Sequence, residues 1–372
     1  MDIVNFGIIG VGGAWQFHKL FFKNSQNAKV KSVFDINERK ARKAARSFNA
    51  NVYSDLQNFL DSEIDAVLIM VPHYLHEELI IRAAEAGKHI LCEKPMATTL
   101  EACDNIIKAV KKAGIKFMIA ENHRFLPAHE FIANFVNKGL LGDIFLVRAY
   151  EGVNELEGLN KRGFWKGDPI LAGGGSLMDM GVHKFATLNW ILDDRIDSAY
   201  SWLFKQCTKL DEKAEDNALV FAKYKKGTIA EIAVSFTVKS EFTNSIEIYG
   251  TKGTILENHM WNKPVKIQSF HEELGEKRGV WFEPEIEHGP FPKYYSISAI
   301  KEDQHFTECI IENKNPKFTA EQAREAVAAV LLCYLSARRG RITYYEELQE
   351  VYKSKGTACI LQGLEKFIQK RD

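Results

Sequence analysis

The chain has 372 residues, 46% of them hydrophobic, and its 49 basic side chains balance 49 acidic ones. This length predicts about two domains with sizeable cores, and the balanced charge excludes a general attraction for nucleic acid or an anionic membrane surface. Six scattered cysteines (Cys92, Cys103, Cys207, Cys309, Cys333 and Cys359) form no C-x-x-C pair, so neither a disulfide framework nor a zinc cluster is expected. No basic segment precedes the first apolar stretch, and no run reaches the roughly eighteen apolar residues of a membrane span. The expected location is the cytoplasm.

The first strand, "VNFGIIG", runs into "GVGGAWQFH", where Gly10 and Gly12 allow a tight turn and close backbone approach to a pyrophosphate. Gly13 adds freedom one residue later, but Trp15 stands where the third glycine of G-x-G-x-x-G falls. The next strand, "AKVKSVFD", ends in Asp35, whose carboxylate suits the hydroxyls of an adenosine ribose. Asp35 or Asn37 can instead cap the following helix. Arg39, one turn onward, is within reach of a 2′-phosphate, yet Asp35 favours NAD over NADP.

Three further strands are predicted at "IDAVLIMV", "KHILCE" and "IKFMIAEN", and helices at "ERKARKAARSFN", "LHEELIIRAAEAG" and "TLEACDNIIKAVKKAG". This βαβα order implies a parallel sheet covered by helices, with ligands at the carboxyl ends of its strands. In "VPHYLHEEL", Pro72 and His76 are cofactor-contact candidates. His76 has the alternative of merely beginning a helix, and His73 reads as loop surface. The strand "KHILCE" delivers Glu93, Lys94 and Pro95 to such an end. Past the last strand, "ENHRF" supplies Asn122 and Arg124 as substrate or scaffold contacts, and the domain boundary is placed there, dividing residues 1–122 from 123–372.

The second half reads as hairpins, "DNALVFAKYKKGTIAEIAVSFTV" and "NSIEIYGTKGTILE", with helices near 176–192, 297–313 and 319–338 and a last helix in "TACILQGLEKFIQK". Within "WKGDPILAGGGSLMDMGVHKF", Asp179 and His183 are four residues apart, a spacing that shares one helix face. A carboxylate beside an imidazole fixes its tautomer and favours its charged form, which suits proton exchange. The three preceding glycines suggest close approach of a ligand. In the loop "NKRGFWKGDP", Trp165 suits stacking on a sugar face and Lys166 suits hydroxyl binding, against the alternatives of a core aromatic and a solvated charge.

Together "GIIGVGG", "VPHYLHEELIIRAAEAGKHILCEKP", "NHRFLP", "GLLGDI" and "GGGSLMDMGVH" resemble the Gfo/Idh/MocA oxidoreductases over essentially the whole chain. The resemblance implies an N-terminal Rossmann domain, an α+β domain with a large, open, mostly antiparallel sheet, and a homodimer or homotetramer. Trp15 and Ala186 depart from the family pattern, and residues 262–300 match no part of it. The resemblance further implies a site assembled between the domains, with Lys94 as the cation, His183 as the base and Asp179 beside it. Glu93 positions the lysine or the cofactor amide, and the bond to Pro95 is a candidate for cis. No metal is required. The expected activity is NAD(H)-dependent oxidation or reduction of a hydroxyl or ketone of a sugar, sugar derivative or cyclitol. Alternatives are a redox-neutral glycoside-processing enzyme with tightly bound NAD and a non-catalytic dinucleotide sensor. A zinc alcohol dehydrogenase lacks a ligand cluster in the sequence.

Overall fold

The computed structural model describes residues 2–161, 164–206, 214–240 and 242–370. Cys207, and Arg162 and Gly163 of the tryptophan loop, lie outside the described residues. The chain divides into two compact units, each described separately. The first comprises Met1–Ala97, Glu101–Phe125 and Tyr295–Arg324; the second comprises Thr98–Leu100, Leu126–Tyr294 and Glu325–Asp372. The division expected after residue 122 includes neither the passage of residues 98–100 to the second unit nor the return of residues 295–324 to the first.

In the first unit the elements run β1 (Val4–Ile9), α1 (Trp15–Asn24), β2 (Ala28–Phe34), α2 (Glu38–Arg46), β3 (Asn51–Tyr53), α3 (Leu56–Leu60), β4 (Ala66–Ile69), α4 (His76–Glu85), β5 (His89–Glu93), α5 (Leu100–Ala113) and β6 (Phe117–Ala120). The six strands pair in parallel in the order β3-β2-β1-β4-β5-β6. β4 and β6 are buried at every position, as sheets covered on both faces require, which is why these strands read as unbroken apolar runs. Because all strands point the same way, the turns after β1, β2, β4 and β5 leave the same edge of the sheet.

The second unit begins with α6 (Pro127–Asn137), β7 (Ile144–Gly152), α7 (Leu156–Leu159), α8 (Pro169–Ala172) and α9 (Val182–Ile191). Strands β8 (Ile196–Lys205), β9 (Asn217–Tyr224), β10 (Ile229–Ser235), β11 (Thr243–Gly250), β12 (Gly253–Asn258) and β13 (Val265–Ser269) follow, and then α10 (Lys293–Ile311), which lies almost wholly in the first unit. The chain closes with α11 (Ala320–Arg339), β14 (Thr343–Tyr344), α12 (Tyr345–Lys355), α13 (Ala358–Leu361) and β15 (Ile368–Lys370). The nine-stranded sheet runs β13-β12-β11-β7-β10-β9-β8-β14, with β15 also on β8. All its pairings are antiparallel except β7 with β10 and β8 with β15. Alternating burial along β9 and β11 shows one covered face, the pattern that made the hairpins legible.

Two expectations change. The single terminal helix is instead α13, a 3₁₀ turn at Leu364–Phe367 and β15, because Gly363 adopts φ 70° and breaks the helical path. The unplaced 262–300 segment supplies edge strand β13 and the start of α10.

α10 is integral to the first core: Phe306 is fully buried, its ring 6.4 Å from that of Phe6 on β1. Phe306→Ala should destabilise the protein by about 3–5 kcal/mol through lost transfer and a cavity. Urea unfolding measures this, and a loss below about 1 kcal/mol would show that α10 packs only peripherally.

Candidate active site

The turn after β1 depends on Gly10. It adopts φ +83°, and a Cβ there would lie 2.3 Å from the Met70 carbonyl oxygen, so side chains are excluded by both backbone conformation and space. A Cβ on Gly12 or Gly13 would meet no protein atom within 4 Å. The open side of the turn at Gly12 is therefore free of this chain's own packing, as a loop that receives a phosphate requires. Trp15, in place of the third glycine, begins α1 and is buried, its ring 5.7 Å from Phe48 and 6.1 Å from Phe22. The indole takes its place in the core.

Asp35 follows β2, half-buried. Its Oδ2 accepts the Val11 N–H at 2.9 Å and its Oδ1 accepts the Asn37 N–H at 2.7 Å. The helix cap is Asn37, whose side chain accepts the Lys40 N–H at 3.1 Å. Of the two capping candidates in the sequence, Asn37 holds the helix and Asp35 ties the end of β2 to the glycine turn. Arg39 is exposed one turn along α2, and Ile36, beside Asp35, is 99% exposed. Nothing in the sequence singled out Ile36.

Pro72 is half-buried and begins the turn after β4. His76 does begin α4, but its ring is fully buried: Nδ1 lies 2.7 Å from the Pro95 carbonyl oxygen and Nε2 lies 3.0 Å from that of Val71. Burial lowers its pKa below the usual histidine range, so the neutral ring donates through one nitrogen and braces the turns after β4 and β5. His73, expected at the loop surface, is buried in the 3₁₀ turn before α4.

At the end of β5, Glu93 Oε2 accepts the backbone N–H of Lys94 at 3.2 Å, and the Lys94–Pro95 bond is cis. Both Glu93 and Lys94 are half-buried. The other Glu93 oxygen, Oε1, lies 3.1 Å from Nε2 of His18 on α1. The opposite nitrogen of that ring, Nδ1, lies 2.8 Å from Asp303 Oδ1 on α10. Burial alone favours a neutral ring at His18, but the charges and hydrogen bonds of Asp303 and then Glu93 outweigh it and hold the pKa well above the usual range. His18 is an imidazolium that aims Glu93. It went unnoticed in the sequence because its partners lie 75 and 285 residues away.

Asn122 and Arg124 occupy a buried 3₁₀ turn after β6. Asn122 Nδ2 donates to Ser298 Oγ at 2.9 Å, while the Arg124 guanidinium donates to the Lys317 carbonyl at 3.3 Å and lies 4.5 Å from the Phe318 ring centre. These contacts bind residues 122–124 to α10 and its following loop.

In the second unit, Asp179 lies on a π-helical turn (Leu177–Gly181), a geometry frequent at functional sites, and His183 lies in the first turn of α9. Both are buried. Asp179 Oδ2 pairs with Lys166 Nζ at 3.1 Å, and Glu155 Oε1 is 3.8 Å from the same ammonium. Lys166 is therefore no solvated charge; it ties the half-buried Trp165 loop to Asp179. The preceding glycines have a packing role that the sequence did not suggest. A Cβ on Gly174 would fall 2.0 Å from Tyr334 Oη, and one on Gly175 would fall 2.0 Å from the Glu215 carbonyl oxygen. Glu215 Oε1 accepts the N–H groups of Gly175 and Leu177 and the Tyr334 hydroxyl. Burial pushes the Glu215 carboxyl up to about 7.

Comparison with known proteins identifies the family and the fold. Residues 4–121 match the oxidoreductase family with an NAD-binding Rossmann fold, GFO_IDH_MocA, and residues 129–256 match a GFO/IDH/MocA C-terminal domain. Myo-inositol 2-dehydrogenase of Thermotoga maritima is 24% identical over 352 residues, covering 93% of this chain and 98% of its own. Levoglucosan dehydrogenase of Pseudarthrobacter phenanthrenivorans is 27% identical over 310 residues, covering 75% and 79%. A solved levoglucosan dehydrogenase in complex with NADH and levoglucosan has the same fold, with a TM-score of 0.82 at 23% identity over 92% of this chain and 98% of that one.

His18→Gln should expose the role of the imidazolium through pH. The folded pKa is raised, so the stability it contributes is complete below about pH 6.5, the ordinary histidine value, and is lost as pH rises through the folded pKa. The melting-temperature gap between wild type and variant should be widest near pH 6 and narrow toward alkaline pH. A gap that stays constant from pH 6 to 10 would mean that His18 is not held as a cation.

Proposed function

Because the chain belongs to the Gfo/Idh/MocA oxidoreductase family, we propose that it transfers a hydride between NAD and a secondary alcohol or ketone of a sugar, sugar derivative or cyclitol. The observation that carries this reading is the edge of the parallel sheet, where the open turn at Gly12 and the Asp35 carboxylate follow β1 and β2, and Glu93 and Lys94 end β5. Relatives named for levoglucosan and myo-inositol support a cyclic polyol substrate.

In this reading the N–H groups of the Gly10–Gly13 turn meet the pyrophosphate, and Asp35 accepts from the adenosine ribose and disfavours a 2′-phosphate. The exposed Ile36 offers an apolar surface to the adenine, Arg39 borders it, and Pro72 flanks the nicotinamide side. Bound NAD supplies the hydride acceptor. His183 takes the hydroxyl proton as the carbon is oxidised, and Lys94 donates to the oxygen on which negative charge develops. Asp179, paired with Lys166, stands four residues before His183 and completes the polar group around the base. Trp165 stacks on the sugar ring. Asn122, Arg124 and His76 act as scaffold in the first unit.

Gly12→Val tests the cofactor site alone. Its side chain has room in the protein, so a folded variant should lose NADH affinity by at least about tenfold, as a buried clash with the phosphates requires. Unchanged NADH affinity by fluorescence titration would place the cofactor elsewhere.

The chemistry is tested with a substrate found by screening inositols, aldoses, sugar acids, glycosides and nucleotide sugars for NAD-linked absorbance change. His183→Ala should lower kcat by roughly 10²- to 10⁴-fold with NAD affinity little changed. Lys94→Met should also slow turnover and weaken cofactor binding. Near-wild-type turnover in His183→Ala removes the base from this mechanism. Product formation with no net change at 340 nm points instead to a redox-neutral reaction.

A further inference from the structure

A second polar cluster lies in the second unit, and neither the hydride-transfer reading nor its residues use it. Strand β12 alternates between covered and partly exposed positions, and Ile255 and Glu257 occupy the covered ones. Position 257 is therefore where the pattern calls for an apolar side chain, yet it carries a carboxylate that is 1% exposed. His259, two residues on, is 2% exposed, and His129 on α6 is fully buried. His259 Nε2 lies 2.9 Å from Glu257 Oε1, and His129 Nε2 lies 3.8 Å from Glu257 Oε2.

These distances are not those of a closed hydrogen-bonded network. Among the described residues, neither Glu257 oxygen and neither His259 ring nitrogen makes a hydrogen bond, although one pair approaches to 2.9 Å. The approach is close but the groups are not aligned to share a proton. The contrast with His18 is direct, since both nitrogens of that ring meet carboxylate oxygens in hydrogen-bonding geometry. Ligands of a common cation behave in the first way: their lone pairs converge on a point between them. Metal–ligand bonds of about 2.0–2.1 Å in a tetrahedron place neighbouring ligand atoms roughly 3.3 Å apart. The observed separations of 2.9 and 3.8 Å bracket that value, and all three ligand atoms lie within 4.8 Å of one another.

We propose that His129, Glu257 and His259 form a binding site for a divalent first-row metal ion, best suited to zinc, that fastens α6 to the end of β12. Two imidazoles and one carboxylate are a zinc ligand set with one position left for water, and the same donors accept iron or manganese less selectively. The cation adds to the compensation of a buried carboxylate that His259 and His129 approach without hydrogen-bonding geometry. Tyr294 closes one side, its ring stacked on His259 at 4.5 Å, and His288 lies 3.0 Å through Nε2 from the His259 carbonyl oxygen. The site joins two elements of the second unit, α6 and the end of β12. It is independent of the cofactor turn and stands or falls without the proposed hydride transfer.

The whole chain, purified without a metal-affinity column, is stripped with chelator and titrated with Zn²⁺ or Co²⁺. Elemental analysis should give about one metal ion per chain, Co²⁺ should develop visible bands of a low-symmetry N/O site, and added Zn²⁺ should raise the melting temperature in a concentration-dependent way. Glu257→Gln and His259→Asn should each weaken binding by at least about tenfold, while His183→Ala binds as wild type does. No uptake of either metal by the stripped protein, or wild-type affinity in folded Glu257→Gln and His259→Asn, overturns the site. If those two variants do not fold, X-ray absorption of the cobalt-loaded wild type decides: two imidazoles and oxygen ligands support the assignment, and a shell with no imidazole or with sulfur overturns it.

Discussion

Everything in the first unit that bears on a dinucleotide depends on one close approach, the passage of Gly10 beside the carbonyl of Met70. A Cβ at position 10 would stand 2.3 Å from that oxygen, so β1 can turn away at this point only if residue 10 has no side chain. The parallel pairing of β1 with β4 brings that carbonyl there, since Ile9 pairs with Ile69 and the Met70 N–H donates to the Ile9 carbonyl at 2.8 Å. With the turn fixed, the Val11 N–H points at Asp35 and the end of β2 is fixed in its turn. The glycine is thus first a requirement of the sheet and then an opportunity for a ligand. Gly12 has no such neighbour, so only the proposed ligand role applies to it.

The same separation of causes runs through the second unit, with the opposite result. Three consecutive glycines before Asp179 and His183 look in the sequence like space left for a ligand. In the structure Gly174 and Gly175 are small because Tyr334 and Glu215 press against them, and the buried Glu215 oxygen gathers the backbone N–H groups of residues 175 and 177. The π turn that carries Asp179 begins where those hydrogen bonds end. Packing below the turn therefore sets the placement of Asp179 and His183, and a substitution at Tyr334 or Glu215 reaches the site through the backbone.

What the sequence made legible was local. The apolar runs of β1, β4, β5 and β6, the acid at the end of β2 and the "GTKG" hairpin between β11 and β12 each follow from neighbours within a few residues. What it concealed depended on long-range pairing. Nothing near Asp303 announces that its partner is His18, and the return of α10 to the first unit leaves no trace in the periodicity of residues 293–311. Glu257 and His259 escaped notice for a related reason. A search for metal ligands guided by cysteine spacing passes over a Glu-x-His strand whose third member, His129, is contributed by a helix more than a hundred residues earlier.

The double attachment of Asp35 bears on the preference for NAD proposed above. One carboxylate oxygen accepts the Val11 N–H and the other the Asn37 N–H, so a swing of the side chain away from the turn gives up two backbone hydrogen bonds. Each oxygen retains a second lone pair, which is what a ribose hydroxyl needs. The negative charge is therefore held at a fixed place beside the glycine turn, and Arg39, exposed on α2, is set against a carboxylate that does not yield. Selectivity built this way is a property of the loop as much as of the charge. On that reading, replacing Asp35 with a neutral residue removes the repulsion and the support of the turn together.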